Sequence, residues 1–418
     1  MTSRRAVTAG LGIAYVAASA IAPLILKTTR SDLDLYFWPS AETLVSGHSL
    51  LIYAGHVHGL YQNDNGPLGL VPLLPAVAVA NVLGWAGSLA GRAALTGAVT
   101  SLVVLLLAYQ TVRLVSSARG SLQWPVIVAC TVLLAPALWI GVLDYGHVEQ
   151  PVELCFALLA ITLFLSTRNA STGVALGAAV LARTIAGFCV IPLLLIRLMT
   201  HRFRSAAMIA LAGVITVGVV MAPFVLADEQ AVTHSLLTYR PGLPIGGGSF
   251  WVLFRQASWA GLIRTGDVYI GAAVAIVLAA LALRHDPAVA STCAGLAGLL
   301  TIAACCFPLF AKSVYPYYLV EPYVFSILWW LARPGSALNW RVTAPLLLTV
   351  DVFIVKAAST SPFSAGGATE GVLSSAVIAV AIAMVTIDLL RWPERSTQAA
   401  DSRMDRLPER IPSTQDAT

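Results

Sequence analysis

The stretch TTRSDLDLYFWPSAETLVSG, Thr28 to Gly47, sets the reading of the whole chain. It follows an apolar run over residues 6–26 that is long enough to cross a bilayer, since a span takes about 20 apolar residues. Where that run ends, two acids, Asp32 and Asp34, stand beside Tyr36, Phe37 and Trp38. Charge is scarce elsewhere: of 418 residues 58% are hydrophobic and 11% are charged. Soluble proteins carry about 25% charged residues, so the composition defines an all-α polytopic membrane protein.

Outward from this stretch, further apolar runs lie at 93–112, 122–142, 151–167, 172–196, 206–227, 267–283, 288–310, 317–332, 342–356 and 371–390. The N-terminus is basic and then apolar, like a signal peptide, but shows no cleavage site and is expected to stay as the first helix. Residues 1–390 read as one membrane domain, and 391–418 as a disordered cytoplasmic tail. The net charge of +5 comes from short basic clusters between apolar runs, which report topology and not a nucleic-acid surface.

Lys and Arg favour the cytoplasmic side. Arg4 and Arg5 place the N-terminus inside, and 28–66 outside. Residues 66–87 contain Pro67, Pro72 and Pro75, which disfavour a continuous helix. If this segment dips in and returns, or lies at the interface, Arg113 and Arg119 fall inside with Arg168, residues 197–205, Arg284, Arg333 and Arg341. One condition follows: 172–196 must enter and leave on the cytoplasmic side as two short helices, with Arg183 near the turn. Most of the acids, histidines and tyrosines then gather on the external face of a plasma-membrane protein.

The candidate chemistry sits there. Asp32 or Asp34 beside a partly dry cavity can act as a general base toward a sugar hydroxyl. On a helix Asp32 and Tyr36 share a face and Asp34 points elsewhere; in an extended segment Asp32 and Asp34 share one. Asp64 belongs to the same external segment. His147 and Glu149 start a long apolar helix, where Glu149 also suits the helix dipole. Arg240 precedes a glycine run at 246–248 and, like Lys312, suits a phosphate. Tyr317 stands beside Tyr315 and Tyr318, alternatively as an interfacial belt. Arg183, inside an apolar run, needs a phosphate, a carboxylate or a wet cavity. The six cysteines lie in apolar segments without metal-ligand spacing and read as small hydrophobes. There is no HExxH, no P-loop, no dinucleotide fingerprint and no Ser-His-Asp order.

The order of these features resembles the GT-C superfamily of membrane glycosyltransferases, in its actinobacterial branch of polyprenyl-phosphate-sugar-dependent mannosyl- and arabinofuranosyltransferases. Asp32-Leu-Asp-Leu-Tyr36 with Ala41 and Leu44 to Gly47 is similar to that branch's D-x-x-x-Y pattern with a small residue and LxxG. GHVEQ, from Gly146, resembles its GHPEE. The branch's usual lysine after the short Gly/Ala helix is Arg183 here, and its YPP is NGP at 65–67. The resemblance implies a bundle of about 11–13 transmembrane helices with a long first external loop containing juxtamembrane helices. It implies an inverting transfer of mannose or arabinofuranose to a glycolipid or glycan acceptor, with Asp32, or secondly Asp34, as base. No cofactor is expected, although some relatives hold a divalent ion with an acidic pair, which Asp32 and Asp34 would form if extended. The alternatives are a transporter or flippase for a lipid-linked sugar and a non-catalytic membrane subunit. No two-half repeat of the kind common in transporters is visible.

Overall fold

A computed structural model describes residues 2–26, 32–54, 63–119, 125–333, 339–359 and 366–391. Among these there is no strand. The helices are α1 (Thr2–Leu26), α2 (Trp38–Val45), α3 (Leu73–Leu83), α4 (Leu89–Arg119), α5 (Pro125–Leu133), α6 (Glu149–Leu165), α7 (Asn169–Ala182) and α8 (Gly187–Met199), followed by α9 (Phe203–Ala227), α10 (Glu229–Thr233), α11 (Tyr239–Gly242), α12 (Ala260–His285), α13 (Cys293–Phe310), α14 (Val320–Ala332), α15 (Thr343–Ser359) and α16 (Gly366–Leu390). The expected tail beyond Arg391 lies outside the described residues, as do 55–62 of the first external segment.

Helices occupy each of the apolar runs, because a chain in hydrocarbon must satisfy its backbone hydrogen bonds internally. Five of them, α4, α9, α12, α13 and α16, are long and apolar enough to cross a membrane; a sixth span forms if α5 and the following wide turn, Ala137–Asp144, act together across a 43° bend. Pro136 sits at that bend. Among the described residues length alone thus accounts for five or six of the 11–13 expected crossings; α6 has 17 residues and α8 and α14 have 13 each.

Packing explains why the short helices are viable. Every residue of α14 is buried, and α13 is buried along most of its length. These two form the centre, packed by α4, α12, α15 and α16. At the other extreme α9 buries little and exposes Leu211, Val214, Val219 and Leu226. Of the cysteines, Cys155, Cys189, Cys293, Cys305 and Cys306 are buried small hydrophobes as expected, whereas Cys130 is exposed.

The segment 172–196 is two helices, α7 and α8, joined at Arg183, whose backbone is extended. Its contacts fix its course. Asn169 donates to Ser205, and Arg197 donates to the Phe164 carbonyl, so both feet stand at one end of the bundle. Arg183, between the helices, reaches back to Glu149 and Glu153 at the start of α6. The pair enters and leaves at the same end with Arg183 at its apex.

Residues 66–87 contain no helix long enough to cross a membrane. Gly66 and Gly69 tuck against the apex: a Cβ on Gly66 would lie 2.0 Å from the Leu181 carbonyl oxygen, and one on Gly69 2.6 Å from that of Ala182. The following helix, α3, has 11 residues, about 16 Å at 1.5 Å per residue, half of a bilayer core. It shares a second, smaller core with Leu33, Phe37, Trp38, Tyr53 and Val148. That core holds Leu33, Phe37, Trp38 and Tyr53 against Leu181, next to the apex at Arg183.

Candidate functional site

The stretch after α1 is helical. Residues Leu33–Phe37 form one wide turn that runs into α2. This settles the alternative left open by the sequence: Asp32 and Asp34 do not share a face. Asp34 pairs with Arg92 of α4 at 3.1 Å. Asp32 points the other way, and its Oδ2 lies 3.0 Å from His147 Nε2. The extended acidic pair that would hold a divalent ion is therefore not formed, and among the described residues no three His, Cys, Asp or Glu side chains group to hold a metal.

Gly146 brings the two segments together. Its φ is +82°, and a Cβ there would lie 2.7 Å from Leu33 Cβ. Both the left-handed backbone and the close approach require glycine. The turn presents His147 between two carboxylates, with Nδ1 2.5 Å from Glu149 Oε1 and Nε2 on Asp32. The ring stacks on Tyr317 with centroids 3.7 Å apart, and Phe37 packs edge-on at 5.1 Å. His147 is thus fixed in position and orientation, and it fixes the Asp32 carboxylate in turn.

Burial by itself pushes His147 down, but Glu149 and Asp32 outweigh it and raise it from 6.5 to about 9. The imidazole is therefore doubly protonated at neutral pH and donates from both nitrogens. A histidine raised on folding stabilises fully below its unfolded value, and the stabilisation is lost as pH rises through the folded one. The expected result is that wild type exceeds His147→Gln in thermal stability at pH 6, with the gap closing between about 6.5 and about 9. A gap independent of pH in melts of the purified proteins contradicts the pairing.

Behind His147 lies the apex arginine. Arg183 is 2% exposed. Its Nη1 pairs with Glu321 of α14 and lies 4.0 Å from Glu153 Oε2, and its Nε lies 4.0 Å from Glu149 Oε1. Tyr317 and Tyr318 pack on the guanidinium at 5.8 and 5.6 Å. Of the partners the sequence left open, the carboxylate is the one present. Glu149 and Glu153 are spaced i, i+4 and so share a helical face, a signal for Glu153 that sequence reading missed. Gln150 joins the same face to α14 through the Tyr317 carbonyl and Glu321.

Tyrosines surround Asp32. Tyr36 and Tyr239 meet through their hydroxyls at 2.9 Å, joining the first segment to α11. Burial, then Tyr239, raises the Tyr36 phenol. Tyr315 stacks on Tyr317 at 5.3 Å, and Tyr145 meets Tyr317 edge-on at 5.5 Å. Asp64, half-buried between Asn63 and Asn65, is raised to about 6 by burial and by Glu149.

The remaining two cations differ in availability. Lys312 is 1% exposed and its ammonium donates to the carbonyls of Arg240 and Arg264, the latter at 2.9 Å. Burial lowers it to about 8. That placement ties the ammonium to the backbone and withholds it from a phosphate. Arg240 pairs with Asp267 at 2.8 Å and reaches the Tyr318 hydroxyl at 3.4 Å, yet its side chain stays 27% exposed. Asp267, which also accepts from the Lys312 backbone NH, was not singled out in the sequence.

The structure thus brings Asp32, Tyr36, Asp64, His147, Glu149, Arg183 and Tyr317 into one cluster, sets Arg240 and Lys312 at its edge, and turns Asp34 away. No protein-family model matches the chain, and a search of curated proteins finds no match.

Proposed function

We propose that this chain is an inverting glycosyltransferase that moves a sugar from a polyprenyl-phosphate donor to a glycolipid or glycan acceptor at the external membrane face. The observation that carries the reading is Asp32, a carboxylate with 23% of its side chain exposed, held by a doubly donating histidine inside a ring of tyrosines. In this reading the acceptor oxygen attacks the anomeric carbon. Its proton passes to Asp32, the bond from the anomeric carbon to the phosphate oxygen breaks, and that electron pair leaves with the polyprenyl phosphate. Tyrosine faces suit the apolar faces of sugar rings, and their hydroxyls suit sugar oxygens.

Among the described cations Arg240 is the phosphate partner in this scheme, because its side chain, although paired with Asp267, stays partly exposed, whereas Arg183 and Lys312 are buried. The lipid tail is supported by the exposed apolar sides of α9 and α12, which both pack on α8. The orientation follows from charge. Arg119, Arg197, Arg333 and Arg341 lie at the end of the bundle away from Asp32, where Arg333 and Arg341 converge on Asp388. That end is cytoplasmic by the positive-inside rule, and the short helices α6, α8 and α14 complete the proposed GT-C-like bundle.

Two results are expected. Cells lacking the protein accumulate a glycolipid or glycan one hexose or one pentose lighter than wild type by mass spectrometry; an unchanged glycan mass with altered sidedness of a lipid-linked sugar would establish a flippase instead. In protein whose exposed Cys130 has been replaced, Glu229→Cys reacts with an impermeant thiol reagent added to intact cells and His201→Cys does not. Both positions are exposed and lie at opposite ends of α9. Labelling in the reverse pattern overturns the orientation.

A further inference from the structure

From the end of the glycine run into α12 the chain reads SFWVLFRQASWAGLIR, Ser249 to Arg264. Val252 and Ile263 turn inward and close a small core with Ile245. Leu253, Phe254, Trp259 and Leu262 face out, and Leu262 is 71% exposed. The backbone ahead of them is stitched to the end of α13. Gly246 NH donates to the Lys312 carbonyl at 3.0 Å and Val314 NH to that of Gly247 at 2.9 Å. Ser249 Oγ donates to the Ala311 carbonyl at 2.7 Å and Trp251 Nε1 to that of Phe310 at 2.8 Å. Trp251, Phe254 and Trp259 pack on one another with centroids 5.4–6.3 Å apart. An outward-facing aromatic platform is thus fixed to the bundle. Its charge has one sign. Gln230 to Gly266 contains no Asp or Glu, and Arg255 and Arg264 are both exposed. Among the described residues neither arginine is in an ion pair. The internal segments outside the described residues, 27–31, 55–62, 120–124, 334–338 and 360–365, contain no Asp or Glu either. The tail sets out from the opposite end of the bundle, past Asp388.

Position decides what covers this platform. It leads directly into α12, which is long and apolar enough to cross a membrane, so it stands where that span leaves the hydrocarbon. Aromatic rings favour that level, and an arginine lays its stem along apolar surface while its guanidinium reaches the headgroups. We propose that residues 250–264 seat an anionic phospholipid of the bilayer, its acyl chains against Leu253, Phe254, Trp259 and Leu262 and its phosphate on Arg255 and Arg264. Guanidinium groups take phosphate oxygens through paired N–H donors. A lipid of net negative charge is favoured over a zwitterionic one, whose headgroup cation offsets the attraction. The seat adjoins the candidate site: the Arg264 carbonyl accepts from Lys312 Nζ at 2.9 Å, and the Arg240 carbonyl accepts from the same ammonium. The seat requires that α12 span the membrane and does not depend on the transferase reading.

The test uses the full-length protein in nanodiscs and two photoactivatable lipids, a phosphatidylglycerol and a phosphatidylcholine with identical acyl chains and a diazirine near the headgroup. Labelled peptides are read by mass spectrometry. Phosphatidylglycerol is expected to label residues 250–264 at least about tenfold more than phosphatidylcholine, at roughly fivefold per arginine. Arg255→Gln combined with Arg264→Gln brings the two yields to within about twofold of each other. Arg202→Gln with Arg204→Gln, two exposed arginines at the start of α9, leaves the preference at 250–264 unchanged. An excess of inorganic phosphate leaves the labelling in place. Equal labelling by the two lipids in wild type overturns the inference and needs no variant to fold. A preference that survives in the folded Arg255 and Arg264 double variant overturns it as well. Loss of label to inorganic phosphate marks a site for a soluble anion and overturns the lipid. Labelling confined to other segments shows that something other than lipid covers the platform, and overturns it too.

Discussion

If the chain transfers sugar as proposed, Asp32→Asn is expected to fold like wild type and to lower kcat by about 10²–10⁴-fold, the usual contribution of a positioned base. The amide keeps an oxygen that accepts from His147 Nε2, so the contact at 3.0 Å survives while the proton acceptor is gone. The measurement is single-turnover transfer by purified protein with a polyprenyl-phosphate sugar, alongside a thermal melt. Turnover near the wild-type rate would remove Asp32 from the mechanism. Asp34→Asn provides the contrast: Asp34 faces Arg92, and its loss changes a partly exposed ion pair without touching the cluster, so transfer is expected to stay within about threefold.

Arg183→Ala is expected to give the largest loss of stability, about 3–5 kcal/mol, because removing one member of a buried ion cluster leaves its partners charged and uncompensated. Here those partners are Glu149, Glu153 and Glu321, all buried. Adding Glu321→Gln to the alanine variant recovers part of the loss, since it deletes one of the stranded charges; such non-additivity marks residues in contact. Arg183→Lys falls between, because one ammonium cannot span the positions that the guanidinium Nε and Nη1 reach. Denaturation of detergent-purified protein, followed by tryptophan fluorescence, measures all three. An alanine variant that unfolds with wild type rules out the apex arginine as the fastener of the hairpin.

Much of the architecture was legible because it is written in hydrophobicity and punctuation. Apolar runs became helices, the segment with three prolines, 66–87, formed only one α-helix of 11 residues, and 172–196 turns back at Arg183, the hairpin that the positive-inside reading required. What escaped was side-chain direction over long sequence distance. Whether Asp32 or Asp34 faced inward depended on the segment being helical and on Arg92 taking the other acid. Lys312 looked like a phosphate ligand because it is a cation expected on the external side, but two backbone carbonyls from elsewhere in the chain claim it. Glu321 and Asp267 attracted no attention because a single acid in an apolar run gives no spacing to read. Length alone accounts for five or six crossings among the described residues, and α14 shows why length is a poor count: buried inside other helices, it does not need the length that a helix alone in lipid requires.

The pairing of Arg183 with Glu321 also bears on how the protein is made. The two are 138 residues apart, so at about 5–20 residues per second the ribosome delivers the arginine about 7–28 s before its closest partner. Glu149 and Glu153 have already emerged by then and serve as an interim berth. The hairpin of α7 and α8 is accordingly inserted on credit from α6 and locked only when α14 arrives. A nascent chain halted before Glu321 carries an open latch in the bilayer, the state in which membrane quality control would find it.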